Sequence, residues 1–343
     1  MVSEDRKICS GEHIHRNQLE EKLNNRISGH PLILTNKCFH LENLSELDIS
    51  NVDFTGSSFR KAKFIGKETI LSGVIFRDCD LQNADFSFAN LTKSIFDRAD
   101  LSEANLRRTN LTNASFKQSK LHGTRLYGAK LNNTTGLKKE SFGNKIGEEI
   151  RGDYITASET YLALRNNFNL IGDYDSSSWA YFRERVCKRK SHSPKSAIRF
   201  YGKMDYKDDK GFLYYFDVIR FWFKNNSYIK WLYGILQEVL WGYAQKPNRV
   251  LAWSFVIVMF FAFIYWKLDL VCYGETTCIP AKTDPSVFSY VLFSLAAFST
   301  SSVPNMIGAT KIANFFTSFE GIIGVTFLAL FTTSLASRLG DIS

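Results

Sequence analysis

A single carboxylate, Glu320, interrupts the 24-residue apolar run from Ile312 to Leu335. A charge at the centre of a bilayer costs about 2.5–3.5 kcal/mol on insertion scales, so such a residue is paired or functional. On a helix, Ser318, Thr326, Thr333 and Ser337, with Ala329 and Ala336, fall on one polar, small-residue stripe suited to line water. Glu320 lies about 120° around the same helix from Thr326. It is therefore expected to brace a neighbouring element and not to face the stripe. Cys272 and Cys278 have five residues between them. Facing an oxidising compartment they can pair; otherwise they are two free thiols. Cys9, Cys38, Cys79 and Cys187 fall outside that loop, on the side expected to be reducing, and none has zinc-ligand spacing. His13 and His15 read as part of an N-terminal tail, so no metal and no cofactor is expected. No Gly-rich phosphate loop or nucleophile elbow occurs, so the chain is not expected to be an enzyme.

The elements that must position these residues are three apolar stretches. Val250 to Trp266 is seventeen residues without a charge, just long enough to span about 30 Å, and Lys246 and Arg249 precede it. Ile312 to Leu335 is a second span. Between them, Ser286 to Ser299 is an apolar run of fourteen residues, too short to cross and of the length of a re-entrant helix. Non-helical backbone at membrane depth must line protein or water. Span, half-helix, loop and span is the layout of a pore domain, and two spans cannot enclose a pore alone, so several copies must share it. Gly321 and Gly324 serve either as a gating hinge or as a close-packing pair. Lys and Arg crowd the N-terminal side of the first span, which places the preceding domain in the cytoplasm of a multi-pass protein of the plasma or inner membrane.

That preceding domain is soluble in composition. The whole chain has 343 residues with 43 Lys and Arg against 34 Asp and Glu, a formal charge of +9. From Leu71 a large apolar residue recurs every fifth position through Phe76, Leu81, Phe86 and onward to Leu131, thirteen times without a miss. A small residue such as Ala84, Ala89 or Ser94 sits two positions before each. An earlier run, Phe39, Leu44, Ile49, Phe54, Phe59 and Phe64, keeps the same step, and two extra residues separate it from Leu71. A period of five is neither helical nor strand-like. It requires a chain that turns a corner every five residues and fills a narrow interior with one large and one small side chain.

Motifs such as Ala84-Asp85-Phe86 and Ala104-Asn105-Leu106 resemble those of the pentapeptide-repeat family. The resemblance implies a right-handed, four-sided parallel β-helix over residues 39–135, with twenty residues per coil, so that Phe76, Phe96 and Phe116 stack on one inner face. Burying each such ring contributes roughly 1.5–3 kcal/mol. Some members of that family mimic DNA with an acidic surface. Here residues 39–133 hold thirteen basic and eleven acidic residues. Duplex DNA carries one charge per ~1.7 Å, so neither mimicry nor nucleic-acid binding is expected.

Residues 1–38 read as an N-terminal tail or cap, and 136–210 as a helical connector. Gly136 to Gly147 is suited to close the solenoid. A helix is expected from Ser158, its N-cap, to Phe168, and a second from near Ser176, carrying Trp179, Phe182 and Val186. Arg183 to Lys210 holds ten basic and four acidic residues, either a solvated face or a belt attracted to anionic lipid. Residues 211–245, with eleven aromatics between 212 and 241, read as helices in the membrane interface.

Residues 246–343 resemble the two-span pore domain of tetrameric cation channels, through Tyr290-Val291-Leu292-Phe293-Ser294, Phe298-Ser299-Thr300 and Glu320-Gly321-Ile322-Ile323-Gly324-Val325. The resemblance implies a homotetramer and places the selectivity filter at Ser299, Thr300, Ser301, Ser302, Val303, Pro304 and Asn305. The polar stripe of the second span is then expected to line the pore through Thr326, Ala329, Thr333 and Ser337, with Glu320, about 120° away, bracing the filter. Potassium-type members carry Thr-x-Gly-Tyr-Gly-Asp there. This chain keeps Thr300 but has Ser302 and Pro304 in place of the glycines that permit a carbonyl-lined filter. The expected fold class is thus mixed: a β-solenoid, a helical connector and an all-α pore domain with a re-entrant helix. The expected function is a pore-forming subunit in a lipid bilayer, passing monovalent cations with weak selectivity, its solenoid serving assembly, regulation or an unknown protein partner. The alternative is a membrane-anchored interaction scaffold with a non-conducting pore domain.

Overall fold

The computed structural model describes residues 11–26, 30–201, 220, 222–223, 226–273, 279–280, 287–302, 306–308 and 310–339. They form two units, Met1–Trp231 and Leu232–Ser343.

The first unit is a β-solenoid with four ladders of parallel bridges. One ladder runs Ile33, Asp53, Ile75, Ile95, Ser115, Thr135, which is five coils. From Ile33 onward, bridges step by 20 residues except where they cross the segment between Phe64 and Leu71, as in Asp53 to Ile75, where the step is 22. The insertion is thus absorbed at one corner and the inward positions stay in register. All the large repeat positions from Phe39 to Leu131 are buried. Phe54, Phe76, Phe96 and Phe116 form a stacked column with centroid separations of 5.7, 5.3 and 4.9 Å. Two shorter stacks, Phe39 on Phe59 at 4.5 Å and Phe64 on Phe86 at 4.7 Å, line other faces.

The small slots solve a polar problem as well as a packing one. Ser94, Thr109 and Ser119 are buried and each donates its hydroxyl to the carbonyl three residues back, at 2.7, 2.7 and 2.9 Å. Buried hydroxyls therefore carry no unsatisfied proton. Cys79 occupies the same kind of slot and donates to the Phe54 carbonyl at 3.0 Å. Burial pushes its thiol up to about 12, so it is inert. Outside, Asp53, Asp85 and Asp100 each accept from the backbone N–H two residues on, fixing the corners as Asx turns. The second residue after each large one has positive φ, for example Asp78 at 56° and Asn83 at 59°.

Pairing starts earlier than the repeat pattern alone indicates. Ile33 and Cys38 already bridge to Asp53 and Ser58, and His13 bridges to Cys38. Of the expected tail or cap, residues 13–26 and 33–38 are thus built onto the solenoid. Helix α1 (Arg16–Asn24) turns Leu19 and Leu23 onto the end of the core, beside Ile14. His13 and His15 are ordered residues of this cap and not a loose tail. Cys38 is disulfide-bonded, its partner lying outside the described residues, which departs from the expectation of a free thiol there.

The other end is closed by α2 (Lys139–Phe142), α3 (Gly147–Ile150), α4 (Tyr154–Leu170) and α5 (Tyr174–Ser191). Leu137, Phe142, Ile146, Tyr161, Leu164, Phe168, Ala180 and Cys187 join the solenoid core. Helix α4 begins at Tyr154 with Asp153 as N-cap, not at Ser158. Ser158 lies more than a full turn past that N-cap: it is buried and donates to the Ile155 carbonyl at 2.8 Å. Asp173 caps α5 by accepting from Ser176 N at 3.1 Å.

Two adjacent glutamates secure this end with opposite electrostatics. In the regular coils, large-residue N–H groups donate to a carbonyl of the next coil, as Leu106 N does to Arg125 O. At the last coil Glu148 supplies the acceptor, taking the N–H groups of Leu126 and Tyr127, both at 2.7 Å. Burial raises its carboxyl above the usual range. Burial opposes the charge of Glu149 too, but the Arg183 guanidinium, the Tyr161 hydroxyl and Lys190 hold that carboxyl below the usual range. The raised Glu148 favours folding below the unfolded value and loses that contribution as pH rises. The lowered Glu149 favours folding above the unfolded value and loses it as pH falls. Glu148→Gln keeps the acceptor, so urea melts are expected to show a gain in stability at pH 7 and none at pH 4. Glu148→Ala strands two N–H groups at about 1–3 kcal/mol each. Equal losses for both variants at pH 7 would refute this account.

The basic stretch after Arg183 is in part committed to these pairs. Arg183 and Lys190 bind Glu149, and Lys188 binds buried Glu184 at 2.5 Å, opposite Arg165 at 3.0 Å. It is not a uniform free belt. Helix α6 (Pro194–Tyr201) follows. Trp222 donates its indole N–H to the His192 carbonyl at 2.7 Å and lies 5.9 Å from Trp231. Residues 202–219, with the end of the basic stretch and four of the eleven aromatics, lie outside the described residues.

The second unit contains α7 (Ser227–Leu240, entered from the first unit), α8 (Pro247–Leu268), β1 (Val271–Tyr273), β2 (Ile279–Pro280), α9 (Val287–Phe298), β3 (Met306–Gly308) and α10 (Lys311–Leu339). Two of its helices, Pro247–Leu268 and Lys311–Ala336, are long and apolar enough to cross a membrane. Their outer faces expose Phe255, Phe260, Ile322 and Leu328 at about 60% each, as expected for surfaces that meet lipid or another protein and not water.

Candidate functional site

The site in the second unit is assembled where α9 packs between α8 and α10. Tyr265 of α8, Tyr290 and Phe293 of α9 and Ala313 of α10 share one buried cluster. At its heart is Glu320, wholly buried. It accepts a hydrogen bond from the Tyr265 hydroxyl at 2.8 Å and a shorter one from Ser294. The Ser294 hydroxyl also lies 2.9 Å from the Val258 carbonyl. One carboxyl group thus ties α10 to both the first long helix and the short one. It faces neither lipid nor the polar stripe of its own helix.

The packing of α10 against the end of α9 is set by glycine. A Cβ at Gly324 would lie 1.7 Å from the Phe298 carbonyl oxygen, whereas one at Gly321 would meet its nearest atom at 3.3 Å. Helix α10 is continuous through both.

The chain around α9 returns to where it began. β1 follows α8 directly and pairs antiparallel with β2, which precedes α9, and with β3, which follows it, giving the order β2-β1-β3. Val271 opposes Gly308, Cys272 opposes Ile307 on one side and Pro280 on the other. Both ends of the α9 excursion are therefore held at the C-terminal end of α8 and the N-terminal end of α10.

At the far end of that excursion α9 breaks at Ser299. Ser301 N caps back to the Ala296 carbonyl at 2.8 Å, and Thr300 takes a positive φ of 56°. The hydroxyls of Ser299 and Ser301 are 2.7 Å apart. A groove of about 560 Å³ opens here, lined by Thr300, Ser301, Thr317, Ser318, Gly321 and Thr326 among others. It brings together Thr300, Ser301, Ser318, Gly321 and Thr326 of the residues singled out from sequence. Ser302 is exposed, as are Ala329 and Thr333 further along α10. Val303, Pro304, Asn305 and Cys278 lie outside the described residues, as does the side chain of Ser337. Cys272 is disulfide-bonded. Tyr265 and Ser294, the partners of Glu320, and Thr317 were not anticipated as site residues. A hydroxyl in each of two otherwise apolar helices was the available signal.

The fold of the first unit and its five-residue step define a class of protein, the pentapeptide-repeat solenoids. Residues 67–98 and 94–133 match the family of pentapeptide repeats, in eight copies. Similar solved structures include a pentapeptide-repeat protein, Rfr23, from the cyanobacterium Cyanothece 51142, at 24% identity over 30% of this chain and 79% of that one, with a TM-score of 0.25. A pentapeptide-repeat protein of the Arabidopsis thaliana thylakoid lumen matches at 27% identity over 30% of this chain and 63% of that one, with a TM-score of 0.16. Full-length QnrB1, a plasmid-mediated fluoroquinolone resistance protein, matches at 19% identity over 38% and 86%, with a TM-score of 0.15. No curated protein matches the chain.

Proposed function

We propose that the chain is the pore-forming subunit of a homotetrameric ion channel that passes monovalent cations with weak selectivity, carrying a pentapeptide-repeat solenoid for assembly or regulation. The observation that carries this reading is the β2-β1-β3 sheet, which holds both ends of the α9 excursion at one end of the two long helices. A 12-residue helix spans only about 18 Å, so an excursion that starts and ends on one side enters the bilayer and comes back. Glu320 then fixes the depth of α9 against both spans, and the hydroxyl-lined groove of each copy faces a shared axis. Loss of the two filter glycines, at Ser302 and Pro304, supports a wider, hydrated path.

Lys246 and Arg249 beside the start of α8 support a cytoplasmic N-terminal domain and an outer sheet. Cys38 and Cys272 are both bonded and lie on either side of α8 in the chain. With α8 across the bilayer they meet different compartments, of which the outer one sustains disulfides. Cys272, with Cys278 as its partner, is then the bond on the oxidising side.

Purified full-length protein in planar bilayers tests the reading through unitary currents and reversal potentials in sodium, potassium and chloride gradients. Cation currents with a potassium-to-sodium ratio below about tenfold are expected from a protein that is tetrameric in mild detergent. A monomer, or anion currents, would overturn it. A tetramer without current would favour the scaffold.

A further inference from the structure

We propose that His13, His15 and Glu42 form a site for a first-row divalent transition metal that clasps the N-terminal segment to the first coil of the solenoid. The donor atoms of the three side chains all lie within 4.8 Å of one another. His15 Nδ1 is 2.8 Å from Glu42 Oε1, and the two imidazole rings are 4.6 Å apart at 49°. Tetrahedral ligation at about 2.0–2.2 Å needs donors roughly 3.3 Å apart, so the set is within about 1.5 Å of ligating distances.

The backbone that holds the three donors is fixed. Ile14 is buried, so His13 and His15, on either side of it in an extended stretch, both project outward. Ile14 N donates to Cys38 O and Cys38 N to Glu12 O, both at 2.9 Å, locking that stretch to the solenoid. His15 is also the residue that starts α1, its N–H held by Gln18 Oε1 at 2.9 Å. Glu42 comes from the coil itself, and Arg16 N donates to its Oε2 at 3.1 Å. That bond orients the carboxylate and leaves Oε1 toward the histidines, the kind of outer support that ligating carboxylates use. The Arg16 guanidinium is engaged elsewhere, on the carbonyls of Asn43 and Ser45 at 2.8 and 3.0 Å and on Glu20, so it does not compete for Oε1.

Two imidazoles and one carboxylate suit zinc, nickel or cobalt and not magnesium or calcium, which prefer all-oxygen sets. Three protein donors leave a fourth position for water. The ion takes the place of the contact between His15 Nδ1 and Glu42 Oε1. Because the ligands come from two segments 29 residues apart (13 to 42), an ion that binds only the closed arrangement stabilises it.

Isothermal titration of the full chain, purified without a polyhistidine tag, with zinc, nickel or magnesium chloride tests the assignment. Zinc and nickel are expected to bind at one ion per chain and to raise the melting temperature of the solenoid; magnesium is expected to do neither. His13→Gln and His15→Gln should each weaken zinc at least 30-fold, while His192→Gln, on α5's C-terminal end, leaves it unchanged. Both histidines are exposed, so these variants are expected to fold, and far-UV circular dichroism checks it. Glu42→Gln should also lose zinc, but it disturbs the α1 contact, so the histidine variants decide. The absence of zinc binding, or binding that survives the double histidine variant, would reduce the cluster to a surface ion pair and overturn the proposal.

Discussion

Phe96→Ala is expected to destabilise the solenoid by about 3–5 kcal/mol, the range for removing a fully buried phenyl ring that leaves a cavity. Phe96 sits in the middle of a column, 5.3 Å from Phe76 and 4.9 Å from Phe116, with Phe86 edge-on at 6.2 Å. Its neighbours above and below are held by their own backbone ladders, so the hole cannot collapse. The coil geometry thus works against relaxation and places the loss toward the upper end. Phe88 is the internal control. It is 40% exposed at a corner with φ of 68° and its ring packs on Arg108. Phe88→Asn trades a cation–π contact worth about 0.5–1 kcal/mol for a residue better suited to that backbone, so its effect should be near zero. Urea unfolding followed at the β-sheet circular-dichroism band separates the two. A loss below about 1 kcal/mol for Phe96→Ala would mean the column is not the stabilising core.

Gly324→Ala is expected to disrupt the second unit. The added methyl would stand 1.7 Å from the Phe298 carbonyl oxygen, and the obstacle is backbone at the end of α9, which has no rotamer to change. Either α10 moves away from α9 or the α9 end shifts, and both break the seating of Glu320 on Ser294 and Tyr265. Overpacking costs typically about 1–3 kcal/mol and more where nothing can yield. The variant should therefore lose its cooperative melt in detergent and, on size exclusion, the oligomer proposed above. Gly321→Ala, with its nearest contact at 3.3 Å, should retain both. Close packing thus accounts for Gly324. Normal folding of Gly324→Ala with altered gating would favour the hinge instead.

The repeating half of the chain was largely legible from sequence because its rule is local. A five-residue step fixes which side chains point inward, and the two-residue insertion after Phe64 reappears as the 22-residue bridges. What escaped depends on partners far along the chain. His13 is placed by pairing with Cys38, and His15 by Glu42, and the segment that carries the two histidines lacks the five-residue signature. The start of α4 at Tyr154 goes with the docking of Tyr161 and Arg183 on Glu149, which local capping preference at Ser158 could not foresee. In the second unit the short apolar run was visible as a run. Its return to one sheet was not, because three strands of two or three residues carry no periodicity. Glu320 could be placed away from the polar stripe by helical geometry, yet its partner Tyr265 is 55 residues away.

The two ends of the solenoid differ from its middle in one respect: neither presents a bare row of N–H and C=O groups to a second molecule. α1 with Ile14, Leu19 and Leu23 covers one end, and Glu148 with helices α2 to α5 fills the other. An open parallel ladder with four flat faces would template the addition of further copies, rod upon rod. Blocking both termini makes the length of the rod a property of the gene and not of protein concentration, so each chain contributes one unit of fixed size however densely the copies are packed.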